Sequence, residues 1–80
     1  MDDYQRLDRA RARIAELPVV GTEFGWPNLF EDEWSVVTQG RRPQAVGQLL
    51  GKHLSSGPEP VIEFVRVNRS PRYTVWRKIR

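Results

Sequence analysis

The sequence lacks cysteine altogether and contains a single histidine, His53. Without thiols the fold has no disulfide and no thiolate metal site, so a packed core has to supply its stability. A lone histidine gives neither a nucleophile–base pair nor a cluster of metal ligands. We therefore expect a protein that is not an enzyme and that uses no metal and no cofactor.

The chain also lacks an apolar run of about 18 residues, the length that a membrane-spanning helix needs. Residues 1–13 are charged throughout and contain no apolar segment of the kind found in signal peptides. The absence of cysteine suits a reducing compartment. These features predict a cytoplasmic protein, folded as a single domain over residues 1–80, without membrane contact.

Charge is distributed unevenly between the two halves of the chain. Residues 1–40 contain four Arg and eight acids, which gives −4, whereas residues 41–80 contain nine Lys or Arg and two acids, which gives +7. The total is the net charge of +3. Such asymmetry favours contact between the basic half and a polyanion, with the bases of residues 41–80 gathered on one face, against the alternative of an uneven solvated surface.

Hydrophobic periodicity predicts three helices, over about residues 3–17, 28–38 and 43–55. The apolar stripe of the first helix consists of Tyr4, Leu7, Ala10, Ile14 and Leu17. Arg6, Arg9 and Arg13 lie off this stripe and are expected on a solvated face. The connector over residues 18–27 is too apolar for a free linker and is expected to pack on the core as an extended stretch or short strand.

Capping residues define the second and third helices. Asn28 with Glu31 resembles a capping box, and Gly40 suits a left-handed residue at the end of the second helix. Pro43 fits the first turn of the third helix, whose expected buried residues are Val46, Leu49, Leu50 and Leu54. Gly47 and Gly51 indicate that a packed helix or a nucleic-acid backbone comes close to another face.

A β-hairpin is predicted over about residues 61–79. Residues 61–67 and 73–79 are rich in β-branched and aromatic side chains, and the link 68–72 has turn chemistry. The expected pairs are Val67 with Tyr73, Val65 with Val75, Glu63 with Arg77 and Val61 with Ile79, with Phe64 opposite Trp76 on the other face. Both faces carry apolar residues, so the core face stays open.

Two helices joined by a short turn and followed by a hairpin are typical of a winged helix-turn-helix, an α+β fold. In this interpretation the third helix reads DNA with Gln44, Gln48 and Lys52, which can hydrogen-bond base edges or phosphate. Arg41 and Arg42 lie at its N-terminus, where the helix dipole favours phosphate. Arg69 and Arg72 flank the hairpin tip and can contact a backbone or a minor groove.

Residues 28–79 resemble the small winged-helix domains of phage and plasmid replication proteins, which occur at the C-terminal end of helicase–primases. The shared features are the helix from Leu29 to Trp34, the turn Gly40-Arg41-Arg42-Pro43, the helix from Ala45 to Leu50, and the strand Tyr73-x-Val75. The resemblance implies DNA contact by the third helix and the wing. It carries over no ATPase or primase activity, because those parts are absent from this sequence.

The expected function is therefore binding of DNA, double-stranded rather than single-stranded, as a regulator or replication accessory factor of phage or mobile-element type. One alternative is a winged-helix module that binds a protein partner and inhibits or recruits a host factor. Another is a single-stranded nucleic-acid binder, which exposure of Phe64 or Trp76 on the hairpin would favour. The three Trp residues are otherwise interpreted as core.

Overall fold

The computed structural model describes residues 1–80 as an α+β fold, the class expected from the sequence. The helices are α1 (Asp3–Glu16), α2 (Trp26–Phe30), α3 (Trp34–Val37) and α4 (Pro43–Leu54), and the strands are β1 (Glu23–Phe24), β2 (Ile62–Arg69) and β3 (Arg72–Lys78). A 3-10 turn, Glu31–Glu33, joins α2 to α3 without a gap. None of these helices combines the length and the apolar character that a membrane span requires.

Helix α1 begins with a capping box between Asp2 and Gln5 and ends ahead of Pro18, as expected from the proline. Its buried residues are Arg6, Ala10 and Ile14. The expected stripe is wrong at its start, since Tyr4 is 82% exposed and Arg6 is 4% exposed. Arg6 is turned inward because its guanidinium donates to the Val37 carbonyl oxygen at 2.7 Å and to the Gln39 carbonyl oxygen at 3.1 Å.

Arg9 is exposed and Arg13 is half-buried, and both form ion pairs. Both contact the carboxylate of Glu33, and Arg13 also donates to the Phe30 carbonyl oxygen at 3.2 Å. The expected solvated arginine face of α1 is therefore wrong for Arg6, confirmed for Arg9, which is exposed, and only partly confirmed for the half-buried Arg13. Arg9 and Arg13 connect α1 to the turn that follows α2, because Glu33 of that turn pairs with both. The sequence spacing within α1 does not reveal this partner.

Acidification should weaken the ion pairs of Glu33 with Arg9 and Arg13. The pKa of Glu33 is lowered from its ordinary value of 4.5, chiefly by the hydrogen bond from Arg9. A lowered carboxyl pKa contributes stability that is complete above the ordinary pKa and is lost as the pH falls through the folded-state value. We expect Glu33→Gln to melt below the parent at neutral pH, and this difference to shrink as the pH falls below the ordinary carboxyl pKa of 4.5.

Thermal unfolding followed by circular dichroism over this pH range measures the effect. Glu59→Gln is the matched control, since Glu59 is exposed and forms no ion pair. The control should follow the parent at every pH. A Glu33→Gln deficit that stays constant down to pH 3 would show that its carboxylate charge is not what stabilises the fold.

The second helical segment departs from the predicted single helix over residues 28–38. It begins at Trp26, with Gly25 as its N-cap and Pro27 in its first turn, so the capping role expected for Asn28 is wrong. Proline in the first turn explains the earlier start, because its fixed φ suits that position. The helix is then interrupted at Glu31, whose φ is 54°. Gly40 adopts the positive φ expected of it, 81°.

The sheet has the strand order β1-β3-β2 and is antiparallel throughout. The expected pairing of Glu63 with Arg77 and of Phe64 with Trp76 is confirmed. Beyond Phe64 the expected register is wrong by one residue, and Val67 pairs with Thr74. An irregularity between Phe64 and Arg66 inserts an extra residue in β2, which is the effect of a β-bulge. The turn is correspondingly shorter than predicted.

The core face of the sheet is the one that carries Trp76. A Cβ atom at Gly51 would lie 2.2 Å from Cζ2 of Trp76, and one at Gly47 would lie 3.3 Å from Cδ1 of Trp26. The two α4 glycines thus admit indole rings rather than a helix or a nucleic-acid backbone. Val46, Leu50 and Leu54 are buried as expected, whereas Leu49 is only half-buried.

Candidate nucleic-acid interface

All seven residues predicted to contact nucleic acid are exposed. They are Arg41 and Arg42 ahead of α4, Gln44, Gln48 and Lys52 on α4, and Arg69 and Arg72 on either side of the Ser70–Pro71 turn. Helix α4 keeps the three polar side chains outward because Val46, Leu50 and Leu54 hold its opposite face in the core. The turn is braced by Asn68, whose side-chain amide donates to the Pro71 carbonyl oxygen at 2.8 Å.

The bases of the C-terminal half do not all form one free surface, contrary to expectation. Arg66 and Arg77 lie on the sheet face opposite Trp76 and pair with Glu23, and Arg77 also pairs with Glu63. These contacts lower the pKa of Glu23, first through Arg66 and then through Arg77. Lys78 is buried and donates to the Leu17 carbonyl oxygen.

Two further bases have partners. Arg41 pairs with Asp3 of α1 at 2.9 Å, and Arg80 donates to the Pro60 carbonyl oxygen at 2.9 Å. The bases of this half that have neither an ion pair nor a side-chain hydrogen bond are Arg42, Lys52, Arg69 and Arg72. Each belongs to the predicted set. We call these four residues the free bases.

A groove of about 580 Å³ lies between α4 and the hairpin. Gln44 and Gln48 line its α4 side, and Arg72 lines its hairpin side. The structure thus brings these three predicted residues to one cleft. Arg41, Arg42, Lys52 and Arg69 lie outside its lining.

Aromatic residues that the sequence assigned to the core also line this groove. They are Trp26, Trp34, Tyr73 and Trp76. Trp26 and Trp76 lie 6.1 Å apart between ring centroids, and Trp26 is 4% exposed, so it serves both core and groove. The glycine spacing on α4 was the sequence signal for a close neighbour there, but it did not identify the rings. The indole N–H groups of Trp26 and Trp76 are buried without an acceptor.

The edge strand β2 presents one more aromatic ring to solvent. Phe64 is 57% exposed and packs edge-to-face on Trp76, with ring centroids 6.1 Å apart. Such a ring offers a surface on which a base can stack. Exposure of Phe64 is a feature that single-strand binding needs and that duplex binding does not.

Acidic side chains gather on a different part of the molecule. A second cavity, of about 340 Å³, is bordered by Glu16, Glu23 and Glu31 together with Arg13. No three His, Asp or Glu side chains come close enough to hold a metal ion.

Comparison of the chain with protein-family models, with curated proteins and with solved structures finds no match.

Proposed function

We propose that the protein is a winged-helix nucleic-acid-binding protein whose main target is double-stranded DNA. The element order supports this proposal: a helix, a short strand, two helical segments and a hairpin, with β1 added beside β3. In a winged helix-turn-helix, α4 would be the recognition helix and the β2–β3 hairpin the wing. A role as a regulator or replication accessory factor of phage or mobile-element type rests on the resemblance of residues 28–79 alone.

The observation that carries the proposal is the location of the free bases. The four arginines of α1 all pair with acids, and the other bases of the C-terminal half are paired or hydrogen-bonded. The free bases border α4 and the hairpin tip, where a winged helix contacts DNA. Because exposed cations without partners are available to phosphate, they can release counterions on binding.

Helix α4 adds groups that can read bases. Gln44 and Gln48 are one helical turn apart, so they lie on the same face, and their side chains form no hydrogen bond within the chain. Glutamine can make paired hydrogen bonds to adenine in the major groove. Arg42 precedes the N-terminus of α4, whose dipole favours a phosphate.

A salt titration tests this function. Four phosphate contacts predict a slope of log K against log salt of about −3.6 on duplex DNA, and thus a loss of roughly 100-fold in affinity between 50 and 200 mM salt. Fluorescence anisotropy with duplex DNA, single-stranded DNA and RNA of matched length measures it. Duplex affinity that is unmeasurable at low salt, or independent of salt, would overturn the proposal in favour of a protein partner.

Exposure of Phe64 supports a second candidate, single-stranded nucleic-acid binding. A hairpin that stacks bases on this ring would bind single strands at least as tightly as duplex. Phe64→Ala would then weaken single-strand binding by about 1–3 kcal/mol. Under the main proposal the same substitution leaves duplex affinity unchanged, because Phe64 is not among the free bases or the α4 polar residues.

A further inference from the structure

Four aromatic side chains line the groove between α4 and the hairpin. Duplex DNA presents phosphates, sugars and base edges, and its base faces are stacked on one another. An unpaired nucleotide, in contrast, presents a π-face that aromatic side chains can cover. The rings of Trp34 and Tyr73, which line the groove with Trp26 and Trp76, are partly exposed.

Polar side chains that can bind a phosphate and a base edge line the same groove as these rings. Arg72 is a free base within the groove lining and can hold a phosphate. Gln44 and Gln48 line the opposite side and have side-chain amides without partners in the chain, so they can bond the edge of a base. The groove volume of about 580 Å³ lies in the range of small-ligand sites.

Tyr73 is held in place for this role. A Cβ atom at Gly25 would lie 3.0 Å from Cδ2 of Tyr73. The ring can therefore pack against the backbone at this position because Gly25 has no side chain. The tyrosine is nevertheless 37% exposed. The ring therefore contacts the Gly25 backbone while part of its surface stays open to solvent, so less side-chain freedom is lost when a base stacks on it.

We infer that this groove binds an unpaired nucleotide, so that the preferred ligand is a DNA duplex carrying a single-stranded end. The inference rests on the proposed function and narrows its target. Aromatic grooves also bind proline-rich peptides. The charge around this one favours a polyanion, because Arg72 lies in it and no acid is among its lining residues.

The test uses the full chain and one DNA hairpin in four forms. These are a blunt form, a form with a four-nucleotide 5′ tail, a form with a four-nucleotide 3′ tail, and a form with an abasic tail of the same length at the end where the natural tail tightens binding. One of the natural tails should tighten binding by about fivefold to a hundredfold over the blunt form. The abasic tail, which keeps the phosphates and removes the bases, should give no comparable gain. The ratio of tailed to blunt affinity is the readout.

Variants locate the effect. Tyr73→Ala should bring this ratio close to one, Tyr73→Phe should retain it, and thermal melting checks that both fold. Loss of the ratio in Phe64→Ala instead of Tyr73→Ala would overturn the groove assignment, since Phe64 is outside the groove lining. The comparison of natural and abasic tails on the parent chain needs no variant.

Failure of the inference is distinct from failure of the proposed function. Salt-dependent binding to the blunt duplex with no gain from any tail would overturn the nucleotide site and leave the proposed function standing. No binding to any of the DNA forms would overturn both. A proline-rich decapeptide that quenches the tryptophan fluorescence of the parent, but not that of Tyr73→Ala, would assign the groove to a peptide. This result would also overturn the inference.

Discussion

Gly51→Ala should destabilise the fold by about 1–3 kcal/mol, the usual cost of forcing one extra carbon into a packed core. The added Cβ would lie 2.2 Å from Cζ2 and 2.6 Å from Cη2 of Trp76, well inside contact distance. The indole cannot move aside freely, because it packs on Trp26 and Phe64. Each kcal/mol corresponds to about 4–8 °C in melting temperature for a domain of this size.

Gly47→Ala is the matched control on the same helix. Its Cβ would lie 3.3 Å from Cδ1 of Trp26, a tight contact that a small shift relieves. Alanine in a helix interior gains about 1 kcal/mol over glycine at both positions. This gain offsets the contact at Gly47, whereas the much closer approach at Gly51 outweighs it. We expect the control to melt within a few degrees of the parent. A Gly51→Ala chain as stable as Gly47→Ala would contradict the packing of Trp76 on α4.

Arg6→Ala should cost about 2 kcal/mol or more, because it leaves two carbonyl oxygens without their donor. The guanidinium reaches Val37 and Gln39, 31 and 33 residues along the chain, and also pairs with Asp3 at 3.0 Å. It thereby fixes the N-terminus of α1 to the end of α3 and the turn ahead of α4. Chemical denaturation with urea measures the change in unfolding free energy.

Two further variants test this interpretation of Arg6. Arg6→Lys keeps the charge but loses the planar fork that serves several acceptors at once, so it should recover only part of the stability. Arg11→Ala removes an exposed arginine of the same helix and should change stability by no more than about 0.5 kcal/mol. Equal effects of Arg6→Ala and Arg11→Ala would show that the buried hydrogen bonds contribute little.

Local chemistry predicted much of the fold. Pro43 and the apolar spacing of Val46, Leu50 and Leu54 predicted α4, and the register counted along the two predicted strands gave the pairing of Glu63 with Arg77. These features depend on residues close in sequence or directly opposite each other. The register beyond Phe64 could not be predicted, because a bulge in β2 leaves no clear mark in the sequence.

Tertiary contacts account for the other differences. Arg6 was interpreted as solvated because it lies off the apolar stripe, and its acceptors are backbone carbonyls, which every sequence contains. The helix break at Glu31 was missed because its positive φ is rare for a residue other than glycine. The exposed site residues were predicted individually, whereas the aromatic groove between them arises only when α4 and the hairpin come together.

The free bases at the hairpin tip give the most direct test of the central claim, that this surface binds nucleic acid. Arg69→Ala with Arg72→Ala is compared with Arg11→Ala plus Arg66→Ala, a control of equal net charge whose arginines pair with Asp8 and Glu23. Duplex affinity is measured across a salt series for the parent and both double variants. The tip variant should keep its melting temperature, lose affinity for all duplex sequences alike, and show a salt slope shallower by about one to two units, while the control keeps the parent slope. Equal slopes for the two double variants would contradict binding through this surface.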